Sequence, residues 1–273
     1  MKQRLIVAGV GIPVLLLILL AAPVWATAAM CALLSAVGCY ELMHAVGKDE
    51  WKLLCLMPLF AAWMCTSIGL GEEWTPEPGL YMAAACFVAV VYTFAMAVVT
   101  HGRERSLSFR TAMAGLFAMS AIAAGFACLV ILRGISPAVV LTPFIGAFMS
   151  DTGAFFAGRA FGKRKLCPAV SPNKTVAGCI GGFVGSIAGM AVFHLVVKTW
   201  FQLDLGWGVV ILMGVIGSLF GQLGDLSFSV IKREFGIKDY GAIFPGHGGV
   251  LDRFDSVLFV APAYLLFMLL YFA

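Results

Sequence analysis

Apolar runs of about 20 residues, repeated along almost the whole chain, fix what it can become. A helix that crosses a bilayer needs about 20 such residues. The sequence offers them at roughly 4–22, 25–43, 52–70, 79–100, 112–132, 136–157, 175–197, 206–229 and 254–272. The expected fold is all-α, a polytopic integral membrane protein with about nine transmembrane helices. Composition agrees: 12% of residues are charged and 62% hydrophobic, whereas a soluble domain carries about 25% charged residues. Lys2 and Arg4 followed by an apolar, alanine-rich stretch resemble a secretory leader. That stretch runs on uncharged to Tyr40, longer than one span, so a retained first helix is expected. Pro23 separates the first two spans and predicts a tight hairpin.

Charge placement sets the orientation. With the N-terminus in the cytoplasm, every Lys and Arg except Arg133 and Lys198 falls on the cytoplasmic side. The acidic loop with Glu72, Glu73 and Glu77 falls on the other side. This is the partition that the positive-inside rule requires. The net charge is +4, and its basic residues sit in short loops between spans, which argues against nucleic-acid binding. The eight cysteines, Cys31, Cys39, Cys55, Cys65, Cys86, Cys128, Cys167 and Cys179, form no CxxC pair. Most lie in apolar runs, where they are expected to act as small hydrophobes rather than disulfides or zinc ligands.

The two halves differ. Residues 1–135 read as a transmembrane scaffold with ordinary loops. Residues 136–273 hold acids inside apolar runs, many glycines and longer polar loops, and the active site is expected there. Asp225 lies toward the cytoplasmic end of the eighth span. It is either a helix-end acid reaching the interface or a metal ligand, because a carboxylate inside a membrane is costly unless paired. Asp252 and Asp255, three apart, share one face at the start of the ninth span. With Asp225 they make an oxygen-ligand set suited to Mg²⁺, although Asp252 alone can also be a helix cap. Asp151 is a further intramembrane acid: a metal ligand, a base, or a partner of Lys174 or Arg159. Gly153 and Gly158 beside it permit close helix contact.

Lys232, Arg233, Lys238 and Arg253 read singly as flanking charges; interleaved with Asp239 and glycines they suit a phosphate. Pro245, Gly246, Gly248 and Gly249 surround His247, in a loop able to turn backbone N–H groups toward an anion. His247 is either inert or a donor or acid toward a phosphate. Ser171, Asn173, Lys174 and Thr175 stand where the seventh span begins. Ser171 and Asn173 are expected to cap that helix, with Lys174 reaching an anion at its positive end. Gly178, Gly182 and Gly185 form a small-residue face that packs either within one chain or between two, as in a homodimer.

Three motifs are more specific. Ser229-x-Ile231-Lys232-Arg233, Lys238-Asp239-x-Gly241 and Phe244-Pro245-x-His247-Gly248-Gly249-Val250-x-Asp252-Arg253-Phe254-Asp255 resemble, without departure, the signature of the phosphatidate cytidylyltransferases, the CDP-diacylglycerol synthases. The run Ser171 to Thr175 and the Asp151 segment are also similar to that family. The first five spans match only in being apolar.

The resemblance implies that CTP and phosphatidic acid give CDP-diacylglycerol and pyrophosphate in the inner membrane of a bacterium. It also implies Mg²⁺, with a second metal or a monovalent cation such as K⁺ as an option. On that reading Asp225, Asp252 and Asp255 hold metal. Lys232, Arg233, Lys238 and Arg253 hold phosphate, as do Ser171, Lys174 and Thr175 from the facing helix. Gly248 and Gly249 line the substrate loop, His247 serves the leaving group, and Asp239 is either a nucleotide contact or an ion-pair partner. The expected site is the cytoplasmic rim of spans six to nine. The rivals are a CTP-dependent polyprenol or phytol kinase, a CDP-archaeol synthase, and a cation-coupled transporter using Asp151 and Asp225. The dense cytoplasmic loop argues against the last.

Overall fold

The structure, a computed structural model, describes residues 2–47, 49–69, 78–201, 205–243 and 248–272. Among them, eight helices are long and apolar enough to cross a membrane: Val24–Val46, Glu50–Gly69, Pro78–Thr100, Phe109–Ile135, Val139–Phe161, Val176–Thr199, Trp207–Glu234 and Leu251–Tyr271. A first helix, α1 (Lys2–Leu20), adds the shorter apolar stretch Gly11–Leu20. Each falls within a few residues of an expected run, and the chain is an all-α integral membrane protein. Lys48, the acidic loop 72–77 and residues 244–247, with His247, lie outside the described residues.

In chain order the remaining elements are α2 (Val24–Val46), α3 (Met57–Gly69), α4 (Pro78–Thr100), α5 (Phe109–Phe117), α6 (Ala124–Ile135) and α7 (Thr142–Phe161). Then come the strands β1 (Lys165–Cys167) and β2 (Ser171–Thr175), followed by α8 (Val176–Phe201), α9 (Trp207–Glu234) and α10 (Leu251–Phe272). A π-helical stretch, Ala118–Ala123, joins α5 to α6. The chain forms two compact units, one of residues 1–137 and 235–254, the other of 138–234 and 255–273.

The first unit begins with the hairpin that Pro23 dictates. Pro23 is extended (φ −65°, ψ 160°) just before α2, a position where its fixed φ and missing N–H do no harm. The buried Arg133 on α6 donates to the Ala22 carbonyl at 2.7 Å and so fastens the hairpin. Cys31, Cys39, Cys65 and Cys128 are buried among the helices, and all eight cysteines are free thiols. Residues 235–254 pack into this unit. The Phe254 ring lies 5.4 Å from that of Phe126. Leu251 is fully buried, and a Cβ at Gly38 of α2 would sit 3.1 Å from it.

In the second unit, α7 and α8 touch backbone to backbone. A Cβ at Gly153 would collide with the Gly181 carbonyl and lie 2.9 Å from the Gly185 Cα. Small residues allow this approach, which gains dispersion contacts that lipid cannot supply. Gly178 faces Gly158, Gly182 faces Ser150 and Gln222, and Gly185 faces Gly153. The glycine face of α8 is therefore used inside one chain. Tyr264 of α10, fully buried, donates to the Met213 carbonyl of α9 at 2.6 Å.

One local expectation is corrected. Ser171 and Asn173 do not cap α8: Ser171–Thr175 is a strand, antiparallel to β1 with Lys165 opposite Thr175 and Cys167 opposite Ser171. The cap is Thr175, whose Oγ1 accepts the Gly178 N–H at 3.0 Å. A capping oxygen must reach an N–H two or three residues ahead. Ser171 and Asn173 lie too far before the helix, which starts at Val176.

Candidate active site

A cavity of about 690 Å³ opens in the second unit, lined by Asp151 and Arg159 of α7, Asn173, Lys174 and Thr175 of β2, and Gln222 and Asp225 of α9 among others. Its volume suits a small-molecule ligand. The hairpin explains how Lys174 comes to be here: β2 carries it out of the helix and toward α9. Its Nζ forms an ion pair with Asp225 Oδ2 at 2.5 Å, both side chains about a quarter exposed (25% and 28%). A carboxylate inside a membrane span needs such a partner.

More charge surrounds that pair. Asp151 interacts electrostatically with Asp225 and Lys174, and Asp255 with Asp225, Lys232 and Asp151. Asp255 Oδ1 also accepts the Ser256 N–H at 2.7 Å. A polar string braces the floor. Gln222 Nε2 donates to Ser218 Oγ at 2.8 Å and to the Cys179 carbonyl at 3.2 Å, and Ser218 Oγ lies 2.9 Å from Ser150 Oγ. Arg233 Nε donates to the Val170 carbonyl at 3.2 Å, tying the hairpin turn to the end of α9. Ser171 lies on the same hairpin, half-buried.

In the first unit the structure describes the flanks of the glycine-rich loop. Lys238, Asp239 and Arg253 are exposed. Asp252 Oδ2 accepts the N–H groups of Tyr240 and Gly249, both at 2.9 Å. Gly248 has φ +87°, and a Cβ there would lie 3.1 Å from that of Asp252. Both backbone strain and crowding thus exclude a larger residue.

Sequence reasoning missed Glu41 of α2. Only 2% exposed, it accepts the Val250 and Leu251 N–H groups, each at 3.0 Å. Of the loop expected to turn its amides toward an anion, the Gly249 N–H, like those of Val250 and Leu251 after it, is donated to the chain's own carboxylates; residues 245–247 lie outside the described residues. The signal for Glu41 was present: an acid inside the expected span 25–43.

Among the described residues, no three His, Cys, Asp or Glu side chains form a ready-made metal site. The donors nevertheless fit Mg²⁺. Asp225 and Asp255 offer hard carboxylate oxygens, and a Lys174 ammonium already sits where Asp225 attracts a cation. Mg²⁺ is commonly held by one or two carboxylates, with water and substrate phosphate completing its shell.

A model of the cytidylyltransferase family matches residues 2–271. The chain belongs to that family. A phosphatidate cytidylyltransferase of Staphylococcus haemolyticus (strain JCSC1435) is 36% identical over 234 residues, 84% of this chain and 85% of the relative. One of Staphylococcus aureus (strain COL) is 42% identical over 184 residues, 66% of this chain and 65% of the relative. The match takes in the first five spans, which the motifs do not reach.

Proposed function

We propose that this chain transfers the cytidylyl group of CTP to phosphatidic acid, yielding CDP-diacylglycerol and pyrophosphate. The observation that carries the reading is the Lys174–Asp225 pair in a cavity that also presents Arg159, Asn173 and Thr175. Cations and hydrogen-bonding groups beside carboxylates suit a metal-bound polyphosphate. The names and bacterial origin of the relatives point the same way.

A lipid phosphate oxygen attacks the α-phosphorus of CTP in line. The bond from that phosphorus to the bridging oxygen breaks, and pyrophosphate leaves with the electron pair. The lipid phosphate is already ionised near neutral pH, so no strong base is needed. The obstacle is repulsion between two anions and charge growing on the leaving group. Fixed cations meet it by standing ready where that charge develops. Lys174 and Arg159 hold phosphate oxygens, with Thr175 and Ser171 beside them. Lys232, Lys238 and Arg253 supply further positive charge, and Arg233 holds the hairpin in place with its Nε while its other donors serve phosphate. Asp239 contacts the nucleotide or pairs with a neighbouring cation. Gly248 and Gly249 shape the loop, and His247 orients or protonates the departing pyrophosphate.

Asp225 and Asp255 would hold Mg²⁺, and the signature gives Asp252 the same task. When bound, the ion neutralises phosphate charge and polarises the α-phosphorus. A second metal or K⁺ is compatible with the remaining acid, Asp151. The positive-inside partition supports a site on the cytoplasmic face, and the bacterial relatives support an inner membrane, where lipid headgroups and CTP meet. The packing of the α8 glycines inside one chain makes no demand for a homodimer.

The test is product identity. Purified protein in phosphatidic acid micelles with Mg²⁺ and CTP labelled at the α-phosphate should turn the label lipid-extractable, with the mass of CDP-diacylglycerol. A phosphorylated alcohol, or no lipid product at all, would overturn the reading.

A further inference from the structure

The signature loop is anchored from the other half of the sequence, by a residue outside every motif. Glu41 is buried in α2 at 2% exposure and receives the Val250 and Leu251 N–H groups at 3.0 Å each. These amides open α10, whose unpaired N–H groups and positive end favour a carboxylate. Gly38, one turn earlier on the same face of α2, receives the Leu251 side chain. Two signature glycines are shaped to the same carboxylate: a Cβ at either Gly241 or Gly249 would run into Glu41 Oε1. Both are needed because Glu41 fills the space a side chain would take. Directly after the Glu41 contact, Asp252 gathers the Tyr240 and Gly249 amides. The loop flanks are thus clamped from both sides, and Asp252 and Arg253 follow directly on the turn that Glu41 holds.

We propose that Glu41 is a positioning residue for the reaction. Its carboxylate locks the first turn of α10 and the glycines of the signature loop, and so sets where Asp252 and Arg253 stand. Its role in turnover rests on the function proposed above; its role in holding the loop does not. A misplacement of about 1 Å in such groups lowers turnover by about a hundredfold.

The experiment compares wild type, Glu41→Ala, Glu41→Gln, Gly249→Ala and the double variant Glu41→Ala/Gly249→Ala, purified in detergent. Turnover is counted per folded molecule, with hydrogen exchange of the Val250 and Leu251 amides measured alongside. Glu41→Ala should lose about a hundredfold in kcat, and Glu41→Gln, which keeps one acceptor oxygen, about tenfold. Both should speed exchange at the two amides. Gly249→Ala should be about as inactive as Glu41→Ala, and adding Glu41→Ala to it should cause no further loss, because both disturb one contact. Equal turnover of wild type and both Glu41 variants, or unchanged exchange at Val250 and Leu251, would overturn the proposal. So would multiplied losses in the double variant. A wild type that makes no CDP-diacylglycerol overturns the proposed reaction instead, and the exchange comparison then still tests the anchor.

Discussion

Two acids inside spans are neutralised in opposite ways, one in each unit. Glu41 is almost wholly enclosed and satisfied by two backbone amides. Asp225 is 28% exposed in a cavity and satisfied by the side chain of Lys174. A backbone amide at a helix start cannot leave its carboxylate without unwinding the turn. A lysine on four rotatable bonds can swing to a phosphate and return. The first arrangement builds; the second can exchange its partner for a substrate or a metal. Asp252 lies between these cases. Its Oδ2 is held by amides, as Glu41 is, yet the proposed function asks it to hold a metal ion as well.

The largest effect that sharpens this contrast is expected at Asp225. Asp225→Ala should lower turnover by about a thousandfold in a folded, membrane-inserted protein, measured as lipid-extractable label from CTP. Near-normal turnover would mean that the pair is only structural. Asp252→Asn comes next. It keeps an acceptor for the Tyr240 and Gly249 amides and removes the charge. A loss of about a hundredfold is expected if the charge serves the reaction; a loss of only a few-fold would assign Asp252 to loop building alone, beside Glu41. Lys174→Met should cost about a hundredfold in kcat/KM, with the defect largest at low CTP. The smallest effect is expected at Tyr264→Phe, which removes one hydrogen bond in a purely structural contact with the Met213 carbonyl. Thermal unfolding should show about 1–2 kcal/mol lost, with turnover per folded molecule unchanged.

Much of this architecture is legible in the sequence because a bilayer allows so few solutions. Without water, backbone groups must be paired within the segment, so runs of about 20 apolar residues can only be helices. Among the described residues, eight of the nine expected runs accordingly meet helices long enough to span, and the first meets α1. Pro23 declares its hairpin for a similarly local reason. Side-chain partners are less legible, since they depend on distance in space. Nothing at residue 174 announces a partner at 225, and the sequence reading assigns Lys174 to phosphate and Asp225 to metal without joining them. The β-hairpin escapes notice because Ser171-Pro172-Asn173-Lys174-Thr175 has the composition of a helix cap, and only pairing with Lys165–Cys167 makes it a strand. Glu41 escapes because motifs concentrate attention on the second half, whereas its work is to hold that half's loop.

The central claim is that the Lys174–Asp225 cavity receives the triphosphate. Equilibrium binding of CTP to the purified protein, in the presence of Mg²⁺, tests it most directly in wild type, Lys174→Met and Asp225→Asn. Lys174→Met should weaken CTP binding by about tenfold or more, through loss of a charge-assisted contact. Asp225→Asn releases Lys174 and removes a repelling carboxylate, so binding should persist while turnover collapses. Wild-type affinity in Lys174→Met, together with normal turnover in Asp225→Asn, would place the triphosphate elsewhere and contradict the account.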